Sequence, residues 1–410
     1  AIVERREVGG TCLNRGCIPT KTLLHASQVY HDAANGASVG VHGALSYDMG
    51  EMFAFKRSVS EKLRGGILSL LKSAKVDVIE GTAQITAPGQ VSVTGADGAR
   101  TAYTAERILA ATGSVNVRPP IPGLELPGVM TSDELLEGTD TPYASIVIIG
   151  GGVIGVEFAT FYSHLGCRVT LVEGMANLLP QLDRELGQNL AQILKKQGVE
   201  VLTSAMVRSL EQTGEGLCVH LEQKGKELTV TGEKVLCAIG RRAYFDGLFA
   251  PDLNPALNGK RLLVDEDYRT SIPGVYAIGD VSAAVQLAHV AAAQGTDCVE
   301  RMCGGKGSTD MNVIPSCIYS APEIAVVGLT EAEAKELGIR AVSGKCTLFS
   351  NARTIIEDPG RCFMKLVARS DTREIIGAQL MCQHASDMIS QLSTAMVNHL
   401  TTRQLLSVMR

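Results

Sequence analysis

Tryptophan is absent from the 410 residues, so no site can rest on an indole. No stretch reaches the ~18 consecutive apolar residues of a membrane-spanning helix. The nearest, residues 146–159, is interrupted by Gly150, Gly151, Gly152 and Gly155. A large excess of one charge is also lacking. The formal net charge of -5 offers no basic surface for nucleic acid or an acidic membrane. The eleven cysteines are odd in number and scattered, which excludes the short, Cys-dense framework of a secreted disulfide scaffold. A reducing, cytoplasmic setting is expected, where a disulfide is more often catalytic than structural. The first residue is Ala1 rather than Met, which leaves a preceding targeting segment open.

What is present is glycine, 43 residues of it, punctuating an ordinary globular pattern long enough for two to four domains. A short strand at 1–3 runs into Gly9-Gly10 and the segment Cys12-Leu-Asn-Arg-Gly-Cys17-Ile-Pro-Thr-Lys21. A helix is expected over 52–75 and a strand near 76–80. Short alternating strands follow over 81–111, with Gly95-Ala-Asp-Gly98 as a hairpin turn. Pro119, Pro120, Pro122 and Gly123 mark an irregular crossing. A second α/β unit starts at Ser145, with strands at 146–149 and 168–173. Leu182, Leu186, Leu190, Ile193 and Leu194 repeat at helical spacing until Gly198. This alternation implies a parallel, doubly wound sheet. After Thr270 the chain reads strand, Gly279-Asp280, then an Ala-rich helix through 300. From about 312, antiparallel-looking strands and two helices suggest a third domain.

Gly150-Gly151-Gly152-Val153-Ile154-Gly155 follows an apolar strand and opens a helix, the context a dinucleotide-binding loop requires. Glu173 ends the next strand, where a carboxylate can grip the ribose hydroxyls of NAD. No Arg follows in Gly174-Met-Ala-Asn177 to receive the 2′-phosphate of NADP. Glu4 also ends a short strand. Alone it reads as a solvated charge, and the motif starting at Gly9 reverses that preference. Cys12 and Cys17 sit among Gly9, Gly10 and Gly16, whose backbone freedom lets two thiols meet. Lys21 adds positive potential that favours a thiolate. Cys298 and Cys303 share the spacing but lie in an uninterrupted helical pattern, so they read as packing or surface residues.

The segment Gly-Gly-Thr-Cys-Leu-Asn-Arg-Gly-Cys-Ile-Pro-Thr-Lys resembles the redox-active motif of dihydrolipoamide dehydrogenases, a branch of the flavoprotein disulfide reductases. The resemblance continues in order through Ala111-Thr-Gly-Ser114, Gly155-Val-Glu-Phe-Ala159, Ala238-Ile-Gly-Arg241, Val275-Tyr-Ala-Ile-Gly-Asp280, Leu287-Ala-His289, Ile314-Pro-Ser to Pro322-Glu, and Val327-Gly-Leu-Thr. It implies an α/β fold with two nucleotide-binding, Rossmann-like domains and an α+β dimerisation domain. The implied divisions are 1–144 for the first part of the FAD domain, 145–264 for NAD, 265–311 for the second part of the FAD domain, and 312–410 for the dimer interface. In the implied roles, Cys17 faces the flavin as the charge-transfer thiolate and Cys12 exchanges with substrate. Lys21, paired with Glu157, lies near the reactive flavin nitrogen. FAD contacts are expected from Glu4, Gly9, Gly10, Thr11, Lys21, Ala83, Thr112, Gly113, Ser114, Asp280 and Ala288. NAD contacts are expected from Gly150, Gly151, Gly152, Val153, Ile154, Gly155, Glu173, Val207 and Gly240. No metal is expected.

The implied reaction is oxidation of dihydrolipoamide by NAD in a homodimer that serves a lipoyl-bearing complex. A glutathione- or mercuric-reductase type of enzyme, and a non-catalytic fragment, are the alternatives. Two family features are missing from the sequence: the first Gly-rich loop, and a C-terminal His-Pro segment ahead of which Arg410 ends the chain. The expectation is a chain truncated at both ends that binds flavin poorly and turns over little lipoamide. His399, in Val-Asn-His-Leu, fits a helix and is not expected to replace the missing base.

Overall fold

The computed structural model describes residues 1–138, 141–357 and 360–409. Its centre is a five-stranded sheet in the order Glu200–Thr203, Arg168–Glu173, Ser145–Ile149, Lys234–Cys237, Val129–Thr131, parallel throughout. Ser145–Ile149 is buried at every position, as an apolar run between two covered faces must be.

Helix Val153–His164 closes one face. It is apolar nearly all round and buried from Gly155 to Tyr162, so it lies between the sheet and a further layer. That layer is the pair of helices Cys17–Ala34 and Met49–Ser73, which contributes Leu23, Leu24 and Phe53 to the cluster holding Phe158 and Phe161. Asp48 caps the longer helix by accepting a 2.9 Å bond from the Glu51 amide. Because helix Cys17–Ala34 packs on helix Val153–His164, residues near the start of each come together.

The other face is closed by an antiparallel sheet, Ala205–Thr213, Gly216–Gln223 and Lys226–Gly232. Leu217, Val219 and Leu221 alternate inward to meet Val147, Ile149 and Val172. The sequence reading places no sheet here. Its central strand alternates, but nothing local tells which face it covers.

The expected flavin segments pair across long sequence distances. Ile2–Glu4 lies parallel to Val78–Glu80, Ile108–Ala110 parallel to Val275–Ala277, and Ser114–Asn116 antiparallel to Arg241–Ala243. Thr82–Ala87, Gln90–Thr94 and Arg100–Thr104 form the antiparallel meander, with Gly98 at φ 80° in the anticipated turn.

Beyond residue 312, five antiparallel strands run in the order Ser316–Ile318, Ile324–Gly328, Ile375–Met381, Phe363–Arg369, Ala341–Thr347. Helix Ala385–Val397 packs on them through Ile389, Leu392 and Met396. The sequence suggests two helices, but among the described residues three short ones accompany this helix: Glu331–Glu336, Ala352–Glu357 and Thr402–Leu406. They are too short to show a period. Reciprocal capping boxes, Thr330 with Glu333 and Thr401 with Gln404, start two of them. Among the described residues no helix is long and apolar enough to cross a membrane.

Candidate redox active site

Cys12 and Cys17 form a disulfide with their Cα atoms 4.6 Å apart. In one unbroken helix, residues five apart would point away from each other. Here the chain breaks at Gly16 (φ -140°, ψ -112°), between the short helix Gly10–Arg15 and the long helix Cys17–Ala34. Gly9 (φ 107°) and Gly10 (φ 70°) provide the left-handed entry that a side chain would disfavour. A Cβ on Gly16 would sit 3.1 Å from the Thr11 carbonyl oxygen. The Thr20 hydroxyl donates to the Gly16 carbonyl at 2.7 Å. Asn14 donates through Nδ2 to the carbonyls of Val8 and Gly10, both at 3.0 Å, tying the entry loop to the short helix. Cys17 is thus the first residue of an 18-residue helix, where the backbone dipole favours a thiolate. By contrast Cys298 is fully buried and Cys303 exposed, and both are free thiols.

One turn below Cys17, Lys21 Nζ donates to Glu157 Oε1 at 2.7 Å and Oε2 at 2.8 Å. The Glu157 side chain is 4% exposed and that of Lys21 28%. A buried carboxylate of this kind persists only with partners. Its third bond comes from the backbone amide of Tyr319, at 3.0 Å from Oε1. The Tyr319 ring also faces the ammonium, 4.7 Å from its centroid. The pair is therefore not a surface bridge along one helix. It joins three segments, and Tyr319 is a member that sequence reasoning missed.

In the second nucleotide loop, Gly150 has φ 111°, and a Cβ on Gly155 would overlap the Gly150 carbonyl oxygen. These are the tight turn and the close helix–strand approach that the fingerprint demands. Gly152 faces open space, Val153 is 40% exposed, and Ile154 packs inward. Glu173 is buried at the end of its strand. Its carboxylate accepts from the Gly151 amide at 2.7 Å and the Met175 amide at 2.6 Å. An ionised carboxylate has about four acceptor positions, so two remain for hydroxyls. Val207 is buried in the core under the antiparallel sheet, and Gly240 turns at φ 122°.

The two distant segments expected to hold flavin meet at Ser114, whose hydroxyl donates to Asp280 Oδ2 at 2.5 Å. Arg241 holds that junction. Its Nε donates to Ser114 Oγ at 2.9 Å, and its other nitrogens bond Asn116 at 2.9 Å and Asp133 at 3.1 Å. The sequence motif included Arg241 without giving it a role. Gly113 (φ 72°) accepts from the Tyr244 amide at 2.9 Å, and the Thr112 hydroxyl donates to the Tyr244 carbonyl. Glu4, half-buried, accepts from the Arg6 amide at 2.9 Å, while Thr11 lies in the short helix before Cys12. Ala83 sits mid-strand in the meander, and Ala288 is the exposed first residue of helix Ala288–Met302.

Two family models match the chain: pyridine nucleotide-disulphide oxidoreductase over residues 1–295, and the dimerisation domain of the same group over residues 314–409. The chain belongs to the pyridine nucleotide-disulphide oxidoreductases. It is 35% identical to a dihydrolipoyl dehydrogenase of Geobacillus stearothermophilus, over 98% of this chain and 86% of that protein. LpdA of Mycobacterium tuberculosis superposes with a TM-score of 0.90 at 26% identity, covering 100% of this chain and 89% of the other. RclA of Escherichia coli, an HOCl-induced flavoprotein disulfide reductase, gives 0.87 at 28% identity, covering 100% and 90%.

Members of this family use FAD and a pyridine nucleotide, and the residues present fit both. In the Gly150–Gly155 turn, Gly152 has nothing in the place of a Cβ just ahead of helix Val153–His164, and a helix N-terminus of this kind suits a pyrophosphate. Gly10 and Gly113, both at positive φ with nothing in the place of a Cβ, leave open backbone in the segments expected to hold flavin. The helical placement expected for His399 from its sequence context is corrected. His399 is not helical: it lies past the end of helix Ala385–Val397 with φ 51°, its side chain 77% exposed and bonded through Nδ1 to Glu374 at 2.7 Å. The helix stops because Asn398 and His399 take the turn geometry that closes a helix C-terminus.

Proposed function

We propose that this chain oxidises dihydrolipoamide to lipoamide with NAD as acceptor, as a cytoplasmic homodimer serving a 2-oxo acid dehydrogenase or glycine cleavage complex. The observation that carries the reading is the Cys12–Cys17 disulfide at a helix start, with the Lys21–Glu157 pair one turn below it. In this reading 1–144 and 265–311 form the flavin domain, 145–264 the NAD domain and 312–410 the dimer interface.

One substrate thiolate attacks Cys12 Sγ. A substrate–Cys12 disulfide forms as the Cys12–Cys17 bond breaks, and Cys17 leaves as a thiolate. The helix start and Lys21 favour that negative charge. The second substrate thiolate then attacks the sulfur bound to Cys12, closing lipoamide and releasing Cys12. Two electrons now rest on the Cys12–Cys17 pair, and the two substrate protons have gone to solvent or to the Cys12 thiolate. FAD and NAD, when bound, supply the electron acceptors. Glu157 holds Lys21 fixed in position through both carboxylate oxygens. Glu173 is assigned to the adenosine ribose of NAD, Gly150 to Gly155 to its pyrophosphate, and Ser114 and Asp280 to the flavin side.

A second reading, a glutathione or mercuric reductase using NADPH, is disfavoured by the buried carboxylate of Glu173 at the nucleotide-selecting strand end. The test compares NAD-dependent oxidation of dihydrolipoamide with NADPH-dependent reduction of glutathione disulfide. The first is expected to be faster in kcat/KM, and the reverse order overturns the proposal.

A further inference from the structure

The outer face of the antiparallel sheet 205–232 carries side chains that the redox chemistry does not use. Leu217, Val219 and Leu221 point to the core, so Cys218, His220 and Glu222 of the same strand point out. The register sets Glu211 directly opposite Cys218, and Ser209 opposite His220. On the far side Thr231 lies opposite Cys218 and Thr229 opposite His220, both short side chains that leave room above the strand.

We propose that Glu211, Cys218 and His220 form a binding site for a zinc-type divalent cation. Their ligand atoms all lie within 4.8 Å of one another, and His220 Nε2 is already 3.1 Å from Glu211 Oε1. Tetrahedral Zn²⁺ with bonds of ~2.0–2.3 Å needs ligand atoms ~3.3–3.8 Å apart, so side-chain rotation alone closes the site. The backbone is fixed beforehand by paired strands, which keeps the ordering cost low. One thiolate, one imidazole and one carboxylate suit Zn²⁺ better than Mg²⁺ or Ca²⁺, which favour oxygen alone. The two anionic ligands balance the charge of the ion. Glu222, the outward carboxylate on the strand of Cys218 and His220, is held by Arg208 at 2.6 Å. Binding displaces the Cys218 thiol proton to solvent and changes no oxidation state. With three protein ligands the fourth position stays open to water or a small thiol.

The test uses the full chain with Cys12–Cys17 oxidised, so that pair offers no thiolate, and with the exposed Cys303 and Cys346 changed to Ser. Zn²⁺ is titrated calorimetrically, and Co²⁺ is titrated as an absorbing probe. The expected result is one equivalent of Zn²⁺ and, with Co²⁺, a near-ultraviolet sulfur-to-metal band with tetrahedral visible bands. Cys218→Ser removes the sulfur band, and His220→Ala and Glu211→Gln each weaken Zn²⁺ binding by about tenfold or more. A sulfur band that survives Cys218→Ser overturns the assignment. So does Zn²⁺ affinity unchanged in His220→Ala, or the lack of saturable binding. All three positions are on an exposed sheet face, and Cys218→Ser is nearly isosteric, so loss of binding is separable from loss of fold by far-ultraviolet circular dichroism.

Discussion

Removing either partner of the Lys21–Glu157 pair should have unequal consequences. Lys21→Met strips the carboxylate of two bonds, at 2.7 and 2.8 Å, and leaves it with the Tyr319 amide alone in a site 4% exposed. An uncompensated buried charge of this kind costs about 3–5 kcal/mol. Glu157→Gln is milder. Lys21 keeps water contact through its 28% exposure, and the amide oxygen still accepts from the Tyr319 side. Its cost should be about 1–2 kcal/mol, near that of one charged hydrogen bond. The double variant, Lys21→Met with Glu157→Gln, leaves no unpaired charge. It should therefore be more stable than Lys21→Met alone, with a coupling of about 1–3 kcal/mol. Denaturant midpoints of the four proteins at pH 7.5, followed by circular dichroism and by Tyr fluorescence, measure this. Equal costs for the two single changes, or strict additivity, would refute the view that the pair is a desolvated unit.

Other changes separate the remaining roles. Cys17→Ser should remove the long-wavelength thiolate–flavin absorbance on reduction, whereas Cys12→Ser should retain it and still abolish lipoamide turnover. The same damage from Cys298→Ser would show that the wrong cysteines were chosen. Glu173→Ala should weaken NADH binding by ~1–3 kcal/mol in a fluorescence titration, as ribose hydroxyls lose their acceptor. Wild-type turnover faster with NADPH than with NADH would contradict this role. His164 is 4% exposed, and neither ring nitrogen has a hydrogen-bond partner. Burial first, then His31 stacked 4.2 Å away, pulls its pKa down to about 3. The folded state thus binds fewer protons than the unfolded state between about 3 and the unfolded value of ~6.5. The stability this neutral imidazole allows is full above ~6.5 and lost as pH falls toward 3, by at most ~1.4 kcal/mol per unit. His164→Phe should flatten the acid limb of a stability–pH curve, and an unchanged slope would rule His164 out as its source.

The local sequence determined what depends on neighbours along the chain. The turn at Gly150, the strand ending in Glu173 and the break at Gly16 each follow from backbone freedom next to an apolar run. Their chemistry was legible because helix starts and tight turns are short-range objects. The meander turn at Gly98 and the helical stripe ending at Gly198 were legible for the same reason. Tertiary structure decided the rest. Lys21 and Glu157 are 136 residues apart, and Ser114 and Asp280 are 166 apart. Only the packing of helix Cys17–Ala34 on helix Val153–His164 brings the first pair together, and only the pairing of Ile108–Ala110 with Val275–Ala277 aligns the second. Tyr319 and Arg241 carry no periodic or compositional mark of their roles, because the amide and ring of the one and the fan of side-chain bonds of the other meet partners on distant segments. The same holds for Glu211, Cys218 and His220. Alternation placed two of them on one face, and the strand register, which no single strand encodes, brought in the third.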